Sequence, residues 1–390
     1  LPVPGWTLPG VMAAGAAQSL LKSSAVTAGR QVVVAGAGPF LLPVAAGLAG
    51  AGARVVAVVE AGQPLDYLRH PAGLAASWRK VPEAGGYLAR LARHRVPVLR
   101  RHAVTGARGD GRLESVTIAR LDRQWLPVPG TERSLEADVL AAGYGFVPQV
   151  ELLGEAGARL AGGAPLAPGA AATVAVAGPD QQTTVPGLFA AGETTGVGGA
   201  DLACAEGEIA GRAAARHAGR PVAPPPRAVV RERAALRRFA AVMQAVHAVQ
   251  PGWAWWPGDD TVVCRCEEVT LGALRAAAGL GADDARSIRL LARPGMGWCQ
   301  GRICGPPVAA LLAAGLSPAG VAGGGQPAPT RPLAQPVPLG VLARLAGAGE
   351  PGGAQATGPG LSSTAGSRAS SPAEAGPGAA GARPDDGGKM

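Results

Sequence analysis

The stretch QVVVAGAGPFLLPVAAGLAGAGARVVAVVE, Gln31 to Glu60, decides the fold class. A β-branched run, Val32 to Val34, meets the turn Gly36-Ala37-Gly38. A helix of small residues follows, then a second strand from Val55 to Val59 that ends in an acid, Glu60. Strand, glycine turn, helix, strand and acid at this spacing form a dinucleotide-binding βαβ unit. Gly36 and Gly38 make the tight turn, and with Pro39 they line the place where a pyrophosphate meets a helix N-terminus. The third fingerprint glycine is replaced by Leu41, so helix–strand packing falls to Ala45 and Gly47. Glu60 stands 24 positions after Gly36, where an acid takes a ribose hydroxyl and repels a 2′-phosphate. NAD or another adenine nucleotide is therefore expected over NADP, with an empty Rossmann-like unit as the competing reading.

Outward from this unit the pattern stays α/β. Val139 to Val150 (VLAAGYGFVPQV) reads as a strand entering a glycine turn at Gly143. Thr173–Gly178 and Gly187–Ala191 read as two further strands, and a helix of small residues runs from about Ala200 to His217. Gly192, Glu193 and Gly199 form a second strand–loop–helix junction. Pro221 to Pro226 is a stiff linker, and Arg231 to Val249 an amphipathic helix. From Ser317 the chain turns to Gly, Pro, Ala and Ser, and from Gly347 no order is expected.

The chain has 390 residues, enough for two or three domains. Hydrophobic residues make up 47%, so most of it is globular, although Gly 60 and Pro 36 approach low-complexity levels. Aromatic content of 4% argues against a base-stacking platform. The net charge is +9, yet the arginines are scattered and the only lysines are Lys22, Lys80 and Lys389, so no nucleic-acid partner is expected. No basic start followed by an apolar run is seen, and Gly, Pro or Arg breaks every apolar stretch. A cytoplasmic protein, not integral to a membrane, is the expectation.

Five cysteines are present, and four form tight pairs: Cys264-Arg265-Cys266, then 32 residues, then Cys299-Gln300-Gly301-Arg302-Ile303-Cys304. An odd count with paired spacing reads as metal binding rather than a disulfide framework. Four thiolates suit a [2Fe–2S] cluster or a structural zinc, and the one-residue spacing of the first pair favours the cluster. Zinc and free buried cysteines are the competing readings. Gly295, Gly297 and Gly301 let backbone N–H groups approach the sulfurs. A helix with proline in its first turn is expected over Pro306–Ala314. Cys204 is expected as a small core residue, and the five histidines as solvated.

CRCEEVT followed by GMGWCQGRIC resembles the bacterioferritin-associated-ferredoxin-like [2Fe–2S] domain. More closely, it is similar to that domain as fused to the α subunit of two-component amine-oxidising dehydrogenases: opine oxidases, hydrogen cyanide synthase, proline and D-hydroxyproline dehydrogenases. PGWTLPGVMAAGAAQSLLKSS, GAGPFLLPVA, AAGYGFVPQVELL and GLFAAGETTGVGGADLACAEGEIAG carry the same resemblance, which covers about Pro4 to Leu316. One departure, Ala292-Arg293-Pro294, touches no ligand. The resemblance implies an FAD/NAD(P)-binding reductase of two dinucleotide folds, with an incomplete FAD domain, plus a small helical [2Fe–2S] domain. It implies a cluster on Cys264, Cys266, Cys299 and Cys304, and FAD contacts at Glu193 and the following helix. It also implies that roughly a hundred residues of FAD domain precede Leu1 in the complete relatives, so FAD retention by this chain alone is not expected.

The expected organisation is a remnant of the FAD domain over 1–30, a nucleotide-binding domain over 31–145 and the C-terminal part of the FAD domain over 146–220. A linker and helix follow over 221–258, the cluster domain over 259–316 and a low-complexity tail over 317–390. No acid–base constellation is apparent, so cofactors carry the chemistry. The expected function is an electron-transferring subunit whose partner, an amine-oxidising flavoprotein, acts on an opine, proline or similar amine. A self-contained NAD(P)H-dependent reductase and a non-catalytic scaffold are the alternatives. The electron acceptor is open.

Overall fold

Val32, Val33, Val34 and Ala35 alternate between two cores, and that alternation organises the larger part of the molecule. The computed structural model describes residues 1–70, 80–167, 170–316 and 337–347. They belong to two compact units, Leu1–Val337 and Pro338–Met390. Among its described residues the second holds the helix Leu339–Gly347, and the rest of the expected tail lies outside the described residues.

Five parallel strands form the central sheet: β1 (Val11–Ala13), β2 (Gln31–Gly36), β3 (Arg54–Glu60), β4 (Val98–Arg100) and β8 (Val139–Gly143), in the order β1-β8-β2-β3-β4. The first helix α1 (Ala14–Ser24), α2 (Leu41–Gly50) and α3 (Lys80–Arg93) lie on one face, where Val32 and Val34 meet Ala17, Val44, Leu48 and Leu91. The other face carries a three-stranded antiparallel sheet, β5 (His102–Arg108), β6 (Ser115–Arg120) and β7 (Arg133–Glu136). There Val33, Ala35 and Val59 pack on Val104, Val116 and Ile118. Both faces of the parallel sheet are covered, as its continuous apolar strands require. Residues 1–30, expected as an FAD-domain remnant, supply the edge strand β1 and helix α1 of this same sheet.

Beyond it come a short helix α4 (Glu151–Glu155) and the hairpin β9 (Leu160–Ala167) with β10 (Ala170–Ala175). The strand expected at Gly187–Ala191 is not formed. Gly187 turns the chain at φ +80°, and Phe189 makes only an isolated bridge to Gln182. Two helices follow, α5 (Ala200–His217) and α6 (Arg227–Val246), the latter starting one turn before the expected Arg231 because Pro226 ends the linker.

The cysteine unit is small: β11 (Val262–Cys264), β12 (Val269–Thr270), α7 (Leu271–Gly279), α8 (Ala285–Ala292) and α9 (Gly305–Leu311). Asp284 and Ser287 cap α8 in a reciprocal box, and proline opens α9 as expected. One apolar core joins this unit to the nucleotide fold: Leu271, Leu274 and Ile288 share it with Trp253, Trp125, Leu121 and Ala37. Trp125 and Trp256 stack at 6.1 Å, and the Trp256 indole N–H donates to the Trp125 carbonyl at 2.9 Å. Trp6 reaches across to donate to the Val262 carbonyl at 2.5 Å. Among the described residues no helix is long and apolar enough to cross a membrane.

Candidate functional site

Two turns bring the paired cysteines together. Cys264 ends β11, and the β11–β12 turn, closed by Glu268 at φ +52°, presents Cys266. Arg293 ends α8 in a left-handed conformation, and the loop from there to α9 carries Cys299 and Cys304. That loop takes positive φ at Gly295, Gln300 and Gly301. The Gly295 N–H points at Cys264 Sγ at 3.4 Å. A Cβ at Gly297 would overlap Cys266, so glycine there is what admits the loop beside the first pair.

The four thiols form no disulfide, and Cys264 and Cys304 are buried while Cys266 and Cys299 are half-buried. All four lie near one another: Cys264 and Cys299 both act on Cys266 and on Cys304 through their charges. Burial, together with the Cys264 charge, pushes the Cys304 thiol far up. Burial also pushes Cys266 up. At Cys299 burial opposes ionisation, but the Ile303 N–H, the Cys266 thiol and the Gly301 and Arg302 N–H groups outweigh it and hold the thiol below its usual range. Among the described residues no three Cys, His, Asp or Glu side chains gather as ligands of one ion. Four free neighbouring thiols are what a two-iron cluster takes, two thiolates to each iron, so the donor set fits that group.

The second place of interest is the glycine turn. A Cβ at Gly36 would overlap the Gly143 carbonyl oxygen, which also accepts the Ala37 N–H at 2.9 Å. Gly143 thus serves the close approach of β8 to the turn. The Glu60 carboxylate is buried on the turn, accepting the Gly38 N–H at 3.2 Å and the Gly62 N–H at 2.9 Å. Pro39 is exposed and has no N–H to offer. His247, at the C-terminal end of α6, lies over this carboxylate with Nδ1 3.6 Å from Oε1. Its Nε2 stands 3.1 Å from the Tyr67 hydroxyl. Burial and the Glu60 charge push the Tyr67 phenol up to about 12, and the same two causes raise Tyr144 further. His247 is therefore not the solvated histidine expected from its helical context; it covers the turn.

The second loop is built on another buried acid. Gly192 bends at φ +77° against Ala203, and Glu193 is exposed, its carboxylate accepting the Gly199 N–H at 2.9 Å and the Gly198 N–H at 3.3 Å. Glu193 and Gly199 thereby close the N-terminus of α5. Beneath them Glu206 is completely buried and accepts the Gly192 N–H at 2.9 Å and the Thr195 hydroxyl at 2.8 Å. Arg237 of α6 neutralises it, with Nε at 2.7 Å from Oε1, and also donates to the Thr195 carbonyl at 2.8 Å. Gln244 adds a bond to the Val197 carbonyl at 2.7 Å. The 20 residues of α6 extend about 30 Å, so one helix clamps the Gly192–Gly199 loop near its middle and covers the Gly36–Gly38 turn at its end.

Sequence reasoning missed Glu206, Arg237, His247 and Tyr67. Glu206 alone left a signal, an acid inside the apolar stripe Leu202, Ala205, Ile209 and Ala213 of α5. The same stripe leaves Cys204 off the buried face, so it is exposed rather than a core residue.

Comparison with known proteins agrees with this layout. Residues 262–314 match the family described as BFD-like [2Fe-2S] binding domain. The chain is 33% identical over 310 residues to hydrogen cyanide synthase subunit HcnB of Pseudomonas aeruginosa, covering 78% of this chain and 65% of that protein. It is 33% identical over 322 residues to an opine oxidase subunit of Rhizobium meliloti strain 1021, covering 80% of this chain and 67% of that protein. The chain thus spans about two-thirds of the length of these relatives. Among solved structures, L-proline dehydrogenase from P. horikoshii shares the fold, with TM-score 0.56 at 17% identity over 88% of this chain and 56% of that one. On its identity to the Rhizobium protein and the share of that protein it covers, this chain belongs to the family that holds these opine oxidase and hydrogen cyanide synthase subunits.

Proposed function

We propose that this chain is the electron-transferring subunit of a complex that oxidises an amino acid or secondary amine of the opine, proline or hydroxyproline type. The observation that carries the reading is the gathering of four free thiols around glycine-rich turns. Cys264, Cys266, Cys299 and Cys304 would hold a [2Fe–2S] cluster, which when bound supplies one-electron transfer. The chain's own part is to set the environment of that group. The Gly295 N–H donates to Cys264 Sγ, the Cys299–Gly301 turn stabilises a thiolate, and the apolar core around Leu271 and Ile288 keeps water from the inner pair.

The two glycine loops support nucleotide and flavin binding. At the first, Gly36, Gly38 and Glu60 would meet an adenine nucleotide, with Glu60 already held by backbone N–H groups at the end of β3. At the second, Gly192, Glu193 and Gly199 would face FAD. The amine-oxidising step belongs in this reading to a separate flavoprotein, because neither loop presents an acid–base pair open to an amine. The names of the relatives, each a subunit of an oxidase or synthase, support a partner.

The test is anaerobic purification of the chain with its companion flavoprotein, followed by addition of candidate amines. Bleaching of the visible iron–sulfur absorption by an amine, only when both proteins are present, is expected. Full oxidase turnover by this chain alone, or a colourless chain holding one zinc, would sink the reading. The second reading, a pyridine-nucleotide reductase, rests on Glu60 and the Gly36–Gly38 turn. It predicts that NADH rather than the amine reduces the flavin in stopped flow.

A further inference from the structure

The arginines near the four thiols are held in different ways. Arg265, between Cys264 and Cys266, is exposed and tied to the N-terminal segment, donating to the Thr7 carbonyl at 3.2 Å with its guanidinium 5.8 Å from the Trp6 ring. The Arg293 side chain is 65% exposed and meets Glu267 at 3.6 Å. Arg302 sits inside the ligand loop, and its side chain is only 19% exposed. Its Nη1 donates to the Cys299 carbonyl at 3.4 Å and to Gln300 Oε1 at 3.0 Å. Its Nε faces Gln149 Oε1 and Glu151 Oε1, each at 3.0 Å. Gln149 and Glu151 belong to the segment that leads from β8 into α4, so one guanidinium ties the ligand loop to the nucleotide fold.

This arrangement fixes a positive charge beside Cys299. A carbonyl oxygen lies within about 5 Å of its own residue's sulfur, which puts the guanidinium within about 8 Å of Cys299 Sγ. Iron–sulfur potentials respond to the charge around the cluster. Uptake of one electron adds one negative charge there, and a fixed cation favours that change. At a separation of about 10 Å and an effective dielectric constant of about 20, one charge moves the equilibrium roughly tenfold. Glu151 meets the Nε edge rather than Nη1, and its negative charge opposes that of Arg302. We propose that Arg302 sets how readily the cluster accepts an electron, its charge favouring the reduced state and Glu151 limiting the effect. The inference rests on the cluster held by Cys264, Cys266, Cys299 and Cys304 and adds which charge poises it.

The full chain is purified anaerobically as wild type, Arg302→Gln, Arg302→Lys, Glu151→Gln and Arg293→Gln. Each is titrated with dithionite and redox mediators while electron paramagnetic resonance reads the reduced iron–sulfur signal. Iron and sulfide per chain are measured on the same samples. Arg302→Gln is expected to disfavour reduction roughly tenfold, a potential about 59 mV lower for one electron. Arg302→Lys keeps the charge and stays closer to wild type than Arg302→Gln. Glu151→Gln shifts the other way, favouring reduction about threefold. Arg293→Gln moves less than Arg302→Gln, because water and salt screen an exposed charge. Opposite signs from the two members of one ion pair are the signature of charge. A merely structural clamp, loosened from either side, would move the potential in one direction.

An unchanged potential in Arg302→Gln with iron retained overturns the proposal. So does a shift of the same sign in Arg302→Gln and Glu151→Gln, or an equal shift in Arg293→Gln. Glu151 lies outside the ligand loop, so if Arg302→Gln loses its iron, a potential that fails to rise in Glu151→Gln overturns the proposal. Each of these results leaves the cluster assignment standing. A wild-type chain that binds no iron overturns both.

Discussion

Replacing Arg237 by Ala tests whether α6 is what fixes the second glycine loop. Glu206 has no solvent exposure, and its Oε1 is held by Arg237 Nε at 2.7 Å and Nη2 at 2.5 Å. The next cation, Arg233, has its Nε at 3.7 Å, beyond hydrogen-bond range. Truncation therefore leaves a buried carboxylate with the Gly192 N–H and Thr195 hydroxyl as its hydrogen-bond partners and the more distant Arg233 as its one remaining ion pair. Leaving one member of a buried pair behind costs about 3–5 kcal/mol. Arg237 is itself one-third exposed, so its removal admits some water, and the lower end, about 3 kcal/mol, is expected. At about 2–4 °C per kcal/mol for a chain of this size, the melting temperature should fall by roughly 6–12 °C. Urea unfolding gives the free energy, and limited proteolysis should show new cutting near Val197. Arg237→Lys keeps the charge but cannot serve Glu206 and Thr195 together, so it should fall between. Arg237→Met with Glu206→Met should recover only part of the loss, because the buried carboxylate leaves the site but Arg233 loses its ion pair. A cost below about 1 kcal/mol for Arg237→Ala, or a double variant no better than the single one, would refute the argument.

Cys266→Ser should abolish the visible iron–sulfur absorption and destabilise residues 259–316, since ligand binding there is also folding energy; unchanged absorption would remove Cys266 from the ligand set. Gly36→Ala should cost about 3 kcal/mol or more by thermal melting, because its Cβ would overlap the Gly143 carbonyl oxygen and φ is +148°. The Tyr67 phenol is raised to about 12 by burial and Glu60, so its native phenolate absorbance at 295 nm, wild type minus Tyr67→Phe, should appear near pH 12 rather than 10. A raised native value means the stabilisation is fully present below the unfolded value near 10 and is lost as pH climbs towards 12. An absorbance rise near pH 10 would contradict the buried position of Tyr67.

Much of the fold was legible because its signals are local. Val32–Val34, the Gly36–Gly38 turn and Val55–Glu60 lie within one 30-residue unit, and strand, turn and helix there are set by neighbours in the chain. The Cys264/Cys266 and Cys299/Cys304 spacings were equally plain. Gly187–Ala191 misled because an apolar run marks burial without guaranteeing a ladder partner, and only Phe189 finds a bridge. Cys204 misled because composition says nothing about which stripe of α5 faces inward.

Residue order is enough to reveal a βαβ unit, a second glycine loop and two pairs of thiols, since each is written in spacings shorter than a supersecondary element. How these parts meet is settled by packing. His247 reaches a hydroxyl 180 residues away at Tyr67, and Trp6 donates to a carbonyl 256 residues away at Val262. Arg237 neutralises an acid from a different helix, 31 positions back. Such pairings are chosen by burial, which forces every charge and hydrogen-bonding group taken from water to find a partner wherever the packed chain supplies one. No local pattern carries that choice, because the partner is selected by the whole fold.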